Sequence, residues 1–199
     1  MKRFLLTIAT LTAALLSYAQ NQQPEMPENI AYFEFNYNVV QPEGRSYNHN
    51  PTFFIYPDTK VDEAGAKALV EKFDMRDVIK ENHVSIYVIN PVDEKYDKTA
   101  DFEGFKDVFN RARSGNLKVI GIGNGATFIN SVLVPTDAAG HIAGILTIDG
   151  KPGKTPAQSW GVPAYVAGKN AAKSAKPYIA MNKAVKDDDR YVNAEEELL

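Results

Sequence analysis

Between Leu117 and Phe128 a strand-like run, Leu117-Lys118-Val119-Ile120, leads into Gly121-Ile122-Gly123-Asn124-Gly125 and on toward a helix from about Ala126. Two chemistries use such a turn. In the first, Gly121-x-Gly123-x-x-Ala126 satisfies the dinucleotide fingerprint, whose glycines let a pyrophosphate approach a helix N-terminus. Asp149, ending the next strand, would then take a ribose hydroxyl. It lies 28 positions after Gly121, against about 20 in that motif. In the second, Gly121 to Gly125 has the frame of a nucleophile elbow, a tight strand-to-helix turn that presents a reactive side chain at its centre. Here the centre is Gly123, which has none. A third reading is structural: the three glycines let helix and strand pack closely.

Other residues able to do chemistry are scattered. Asp58 and Asp149 each end a predicted parallel strand, where ligands of such sheets bind. Together with Tyr56, Asn90, Gly123 and Asn124 they define a candidate crevice. Paired carboxylates there could hold a cation or act as acid and base. Strand-ending aspartates more often cap the following turn, and that reading is preferred. His49, His83 and His141 are isolated from one another and from carboxylates at ligand spacing, so no metal site is expected. Thr127 and Ser131 lie on the helix after the turn without a base partner; back-bonding to the preceding turn accounts for them. Cysteine is absent, which excludes disulfides, thiolate catalysis and cysteine-ligated metals. No cofactor is implied.

Hydrophobic periodicity supplies the elements that must carry these residues. Strands are predicted at 32–40, 53–56, 84–89, 117–121, 142–148 and 162–167. Helices are predicted at 61–73, at 102–113 with Phe102, Phe105, Val108 and Phe109 on one stripe, at 126–134 and at 171–185. Tyr32, Phe33, Phe35 and Tyr37 are read as strand and core residues. Strands alternating with helices mean a mostly parallel sheet covered on both faces.

The motifs Gly121-Ile122-Gly123-Asn124-Gly125-Ala126, His141-Ile142-Ala143-Gly144, Asp149-Gly150 and Gly161-Val162-Pro163 occur in this order, followed by Gly168 and Pro177-Tyr178. From Pro51 to Tyr178 this arrangement resembles the secreted polyhydroxybutyrate depolymerase and feruloyl-esterase-like branch of the α/β-hydrolase superfamily. The resemblance implies a three-layer α/β/α sandwich with a mostly parallel sheet and an esterase built on Ser, His and Asp. The departures fall on that chemistry. Gly123 stands in the serine's place. Tyr56-Pro57-Asp58 replaces the His-Gly beside the oxyanion hole; Pro57 has no N–H to donate, and a carboxylate repels an oxyanion. Lys151 to Lys186 holds seven lysines and no acid where the triad acid is due. All three histidines precede Val162-Pro163, whereas the triad histidine comes last. A triad needs its members within hydrogen-bond reach of one another, so the structural reading of the glycine turn ranks first. The same comparison leads us to expect the sheet to end at 162–167, without the family's last strand.

The chain has 199 residues, 44% hydrophobic and 24% charged, with a formal net charge of −3. That is a globular composition with no general attraction for nucleic acid. Lys2-Arg3, the apolar run Phe4–Leu16 and Ser17-Tyr18-Ala19 form a secretory signal pattern, with cleavage expected after Ala19 and no membrane span left afterwards. The expected organisation is a signal peptide at 1–19, a disordered leader at 20–30, a hydrolase-like domain at 31–186 and an acidic tail or truncated continuation at 187–199. The expected function is an exported, secreted or periplasmic binding or scaffold module for an ester, polymer or glycan, without the usual esterase mechanism. An esterase or depolymerase completed by sequence not present here is the alternative, and a dinucleotide-binding domain ranks third.

Overall fold

The computed structural model describes residues 26–35, 50–154, 161–183 and 192–195. Its strands are β1 (Ile30–Phe35), β2 (Thr52–Tyr56), β3 (Val84–Ile89), β4 (Leu117–Ile122), β5 (Ile142–Ile148), β6 (Ala164–Ala167) and β7 (Val192–Glu195). Its helices are α1 (Glu63–Lys72), α2 (Arg76–Glu81), α3 (Ala100–Ala112), α4 (Asn124–Phe128) and α5 (Ala171–Lys183). The seven strands form one sheet in the order β1-β3-β2-β4-β5-β6-β7. Only β1 is antiparallel, its Ile30 opposite Ile89; every other neighbouring pair is parallel.

All five residues of β2 are buried, because side chains of alternate residues enter different cores. Phe54 and Tyr56 join Phe105 and Val108 of α3, Phe128 of α4 and Tyr178 of α5. Phe53 and Ile55 join Ala66 and Val70 of α1 and Met75 at the start of α2. The sandwich therefore has three layers, and the α/β-hydrolase-like sheet expected from the sequence is present.

Local signals set the helix ends. The Asp62 side chain accepts the Gly65 N–H at 2.8 Å and caps α1. Asp97 accepts the amides of Thr99 and Ala100 at 2.7 and 2.8 Å before α3. Those amides, Ala100 first, hold its carboxyl below the ordinary aspartate range. After α4 the chain continues as a π-helical turn, Ile129–Leu133, and a 3₁₀ turn, Asp137–His141, leads into β5.

Three expectations are corrected. The sheet does not end at 162–167: β7 pairs with β6 from Ala164↔Val192 to Ala167↔Glu195, inside the span read as an acidic tail or truncated continuation. The end of the supposed leader is ordered, with the Ile30 N–H on the Pro27 carbonyl and the Asn29 side chain donating to the Asn90 carbonyl at 3.0 Å. Helix α2 carries no helix signal in the sequence, because it is short and its N-cap, Met75, provides no side-chain bond. Residues 1–25, with the signal pattern, lie outside the described residues, as does the 36–40 part of the first predicted strand.

Burial also fixes a pH limit. It pushes the Tyr87 phenol up to about 12, and raises those of Tyr56, Tyr96 and Tyr178 as well. An unfolded tyrosine ionises near pH 10. Above that pH the unfolded chain sheds protons that the folded chain retains, so stability falls. The contribution is complete below pH 10 and is lost as pH rises toward 12 and beyond. Urea unfolding followed from pH 8 to 11.5 should show the midpoint dropping only above about pH 10. Native-state ionisation of every tyrosine near pH 10, followed by absorbance, would contradict this account.

Candidate active site

The carboxyl ends of β2 to β6 bring together Asp58, Asn90, Gly123 and Asn124 on neighbouring strands, with Asp149 and Gly168 further along the same rim. At the centre, β4 turns into α4 through Gly123, whose backbone has φ +53° and ψ −110°. A residue with a side chain is strained there by about 1–3 kcal/mol. A nucleophile elbow has this kind of strained strand-to-helix turn; here glycine stands at its centre.

Close approach explains the flanking glycines. A Cβ on Gly121 would stand 2.6 Å from the Ala126 Cα, and one on Gly125 would stand 2.1 Å from the Tyr56 carbonyl oxygen. Helix α4 thus rests directly on the backbone of β2 and β4, closer than any side chain would allow.

The space above Gly123 is filled. A Cβ at that position would lie 2.0 Å from Asp58 Oδ1. The same Asp58 oxygen accepts the Asn124 backbone N–H at 2.7 Å, while the Asn124 side chain donates to the Asp58 carbonyl at 3.0 Å. In a working elbow the amide after the nucleophile donates to the oxyanion. Here a carboxylate of the protein itself holds that amide. The sequence shows Asp58 and Asn124 only as separate rim residues, because 66 positions divide them and nothing local reports that β2 and β4 are adjacent.

The other crevice candidates are turned to internal tasks. Asn90 exchanges two bonds with the Val61 backbone, accepting its N–H at 2.9 Å and donating to its carbonyl at 2.8 Å. That pair fixes the loop carrying Asp58. Asp149, at φ +57°, accepts the Lys169 N–H at 2.9 Å and ties the end of β5 to the turn after β6. Its carboxylate is engaged away from the Asp58 bond. Tyr56 is not a crevice residue at all. Following the alternation of β2 it faces the core, fully buried, with ring centroids 5.4 Å from Phe128 and 5.7 Å from Tyr96. Burial and then the nearby Asp101 carboxylate raise its phenol.

The remaining groups do not complete a triad. Thr127 Oγ1 donates to the Gly123 carbonyl at 2.9 Å and accepts the Lys151 N–H at 3.0 Å, and Ser131 bonds back to the Thr127 carbonyl. His83 and His141 precede β3 and β5, at the rim opposite the elbow. There His83 Nε2 pairs with Glu34 Oε1 at 2.6 Å and the His141 ring lies 4.8 Å from that of Phe109. His49 lies outside the described residues. Among the described residues no three His, Asp or Glu side chains gather to hold a metal ion.

No family model and no curated protein matches the chain. Solved structures do. A structure of YahD with malic acid aligns at TM-score 0.49 and 15% identity, covering 85% of this chain and 90% of that one. A membrane phospholipase A described as a bacterial virulence factor aligns at TM-score 0.47 and 13% identity, covering 98% and 91%. A carboxylesterase structure from the thaumarchaeon Nitrososphaera gargenis aligns at TM-score 0.41 and 17% identity, covering 65% of this chain and 46% of that one. In sheet order and in the form of its elbow, the chain resembles the α/β-hydrolases.

Proposed function

We propose that the chain is an exported, α/β-hydrolase-like binding or scaffold module that does not hydrolyse esters by a Ser-His-Asp mechanism. One observation carries this reading: Asp58 occupies the space of the missing nucleophile and holds the amide that would otherwise steady an oxyanion. Acyl transfer needs an attacking group, a base within reach of it and free donors where negative charge develops. At this elbow glycine replaces the first, both described histidines lie at the far rim, and a carboxylate engages the donor. A tetrahedral oxyanion would have to displace Asp58 and then sit beside its charge. Export rests on Lys2-Arg3, the apolar run Phe4–Leu16 and the small residues at Ser17 and Ala19.

The purified protein should leave a short-chain p-nitrophenyl ester at its background hydrolysis rate. Turnover proportional to enzyme concentration would instead favour the esterase alternative. After export in a bacterial host, the mature N-terminus read by mass spectrometry should be Gln20; an intact Met1 or Lys2 would count against the signal.

The elbow can be tested by stability. Gly123→Ser places a side chain both in a strained backbone conformation and on Asp58. It should destabilise the fold by about 2–4 kcal/mol, combining strain with overpacking. In Asp58→Gly/Gly123→Ser the steric part vanishes, and the two substitutions should couple favourably by about 1–2 kcal/mol, within the range for residues in contact. Additive effects in urea unfolding would show that Asp58 does not fill the nucleophile's space.

A further inference from the structure

A sheet of parallel strands is normally covered on both faces. On the face of Phe53 and Ile55, helix α1 and the start of α2 reach as far as Ile120 of β4. Beyond that helix layer, Lys118, Gly144, Leu146 and Tyr165 are only half-buried. Alternation puts them on this same face. The register aligns them: Lys118 lies beside Gly144, Ile120 beside Leu146, and Leu146 beside Tyr165. They line a groove of about 300 Å³ that runs from Phe53 of β2 to Pro163 just before β6. Gly144 is its low point. A Cβ there would meet, among the described residues, only Lys118 Cγ, at 3.7 Å.

The groove carries one charge. Lys118 is the charged residue of its lining, and every other lining side chain except Tyr165 is apolar. Lys118 Nζ donates to the neutral Asn116 Oδ1 at 2.6 Å and lies 5.7 Å from the centre of the Phe53 ring. An ammonium has three donors, so hydrogen-bonding capacity is left over. No carboxylate among the described residues pairs with it, and burial lowers its ammonium below the ordinary lysine value.

That combination selects a ligand. A second cation would meet Lys118 with no acid between them. A plain hydrocarbon would cover the ammonium without answering its charge. A second negative charge would lie over Gly144 and Leu146 without a partner. One carboxylate joined to an apolar chain meets both demands, since a charge-assisted bond is the strong way to satisfy a half-buried ammonium. Neighbouring strands lie about 4.8 Å apart, so the path from β4 to β6 is about 10 Å, the length of a chain of about eight carbons.

We propose that the groove across β4, β5 and β6 binds a medium-chain aliphatic carboxylate, its carboxylate accepting from Lys118 Nζ and its chain lying over Gly144 and Leu146 toward Tyr165. The groove is on the face of the sheet away from α4, so this assignment goes beyond the binding-module reading and does not depend on the elbow being inert.

The test is titration of the full chain, isotope-labelled, with sodium octanoate at about millimolar concentration, followed by amide NMR shifts and calorimetry. Octylammonium and octanol serve as controls of equal chain length. Octanoate should shift 118–120, 144–146 and 163–165 and bind about tenfold or more tighter than octylammonium. Lys118→Met keeps the side chain's length and removes its charge. It should hold the melting temperature, weaken octanoate about tenfold or more and leave octanol unchanged. Gly144→Leu, whose Cβ has room, should fill the groove and abolish binding of both; if that variant unfolds, Lys118→Met decides. Absence of octanoate shifts, equal binding of octylammonium, or full octanoate affinity in Lys118→Met each overturns the proposal. So does a dimer in sedimentation that shields the same residues and excludes octanoate, which would make a second copy the occupant. Shifts confined to 121–126 overturn the groove assignment while leaving the binding-module reading standing. Ester turnover with octanoate shifts in the groove would overturn the non-catalytic reading alone.

Discussion

The contact between Gly125 and the Tyr56 carbonyl sets the height of α4 above the sheet. With only a hydrogen at Gly125, the helix backbone settles directly on the last residue of β2. A Cβ there would have to move rigid backbone, since no flexible side-chain tip is available to yield. Much else follows from that seating. Phe128 drops onto Tyr56, and Asn124 comes within reach of Asp58. Asn130 meets the Lys151 carbonyl at 2.8 Å and accepts the Tyr178 hydroxyl from α5. That buried pair links the π-helical turn after α4, α5 and the loop after β5. It is satisfied on both sides, which is the condition under which a buried polar network stabilises a fold.

At the elbow, sterics and charge do not weigh equally. Asp58 is exposed, so the Coulomb part of its bond to the Asn124 amide is screened by water and contributes little to stability. Its position matters more. The carboxylate fits above Gly123 only because residue 123 has no Cβ, and the glycine also removes about 1–3 kcal/mol of strain that any other residue would bear at this φ and ψ. The glycine at 123 and the carboxylate above it are thus one packing solution.

Much of this fold was legible because its strands are short apolar runs between turn residues. Val84–Ile89 and Ile142–Ile148 fall where the sequence puts them. The inward turn of Tyr56 was also legible, since alternation places it on the same face as Phe54. β7 was not legible. Val192-Asn193-Ala194-Glu195 has little hydrophobic signal, lies in an acidic stretch and takes its conformation from pairing with β6. The Asp58–Asn124 bond was illegible for another reason. Each residue has an adequate local explanation as a turn or cap, and only the β2–β4 register shows that they answer one another.

The two rims of the sheet differ in what their polar groups have left to do. At the carboxyl rim, Asp58 is bonded to Asn124, Asn90 to Val61 and Asp149 to Lys169. A ligand there would have to replace bonds that the protein already makes, so the exchange yields little net free energy. At the amino rim, the side chains of Asn110, Asp137 and His141 make no hydrogen bond to described residues. Those groups keep their hydrogen-bonding capacity for solvent. At the carboxyl rim of this hydrolase-like sheet, the polar groups around the β4–α4 turn are thus satisfied by the protein's own residues.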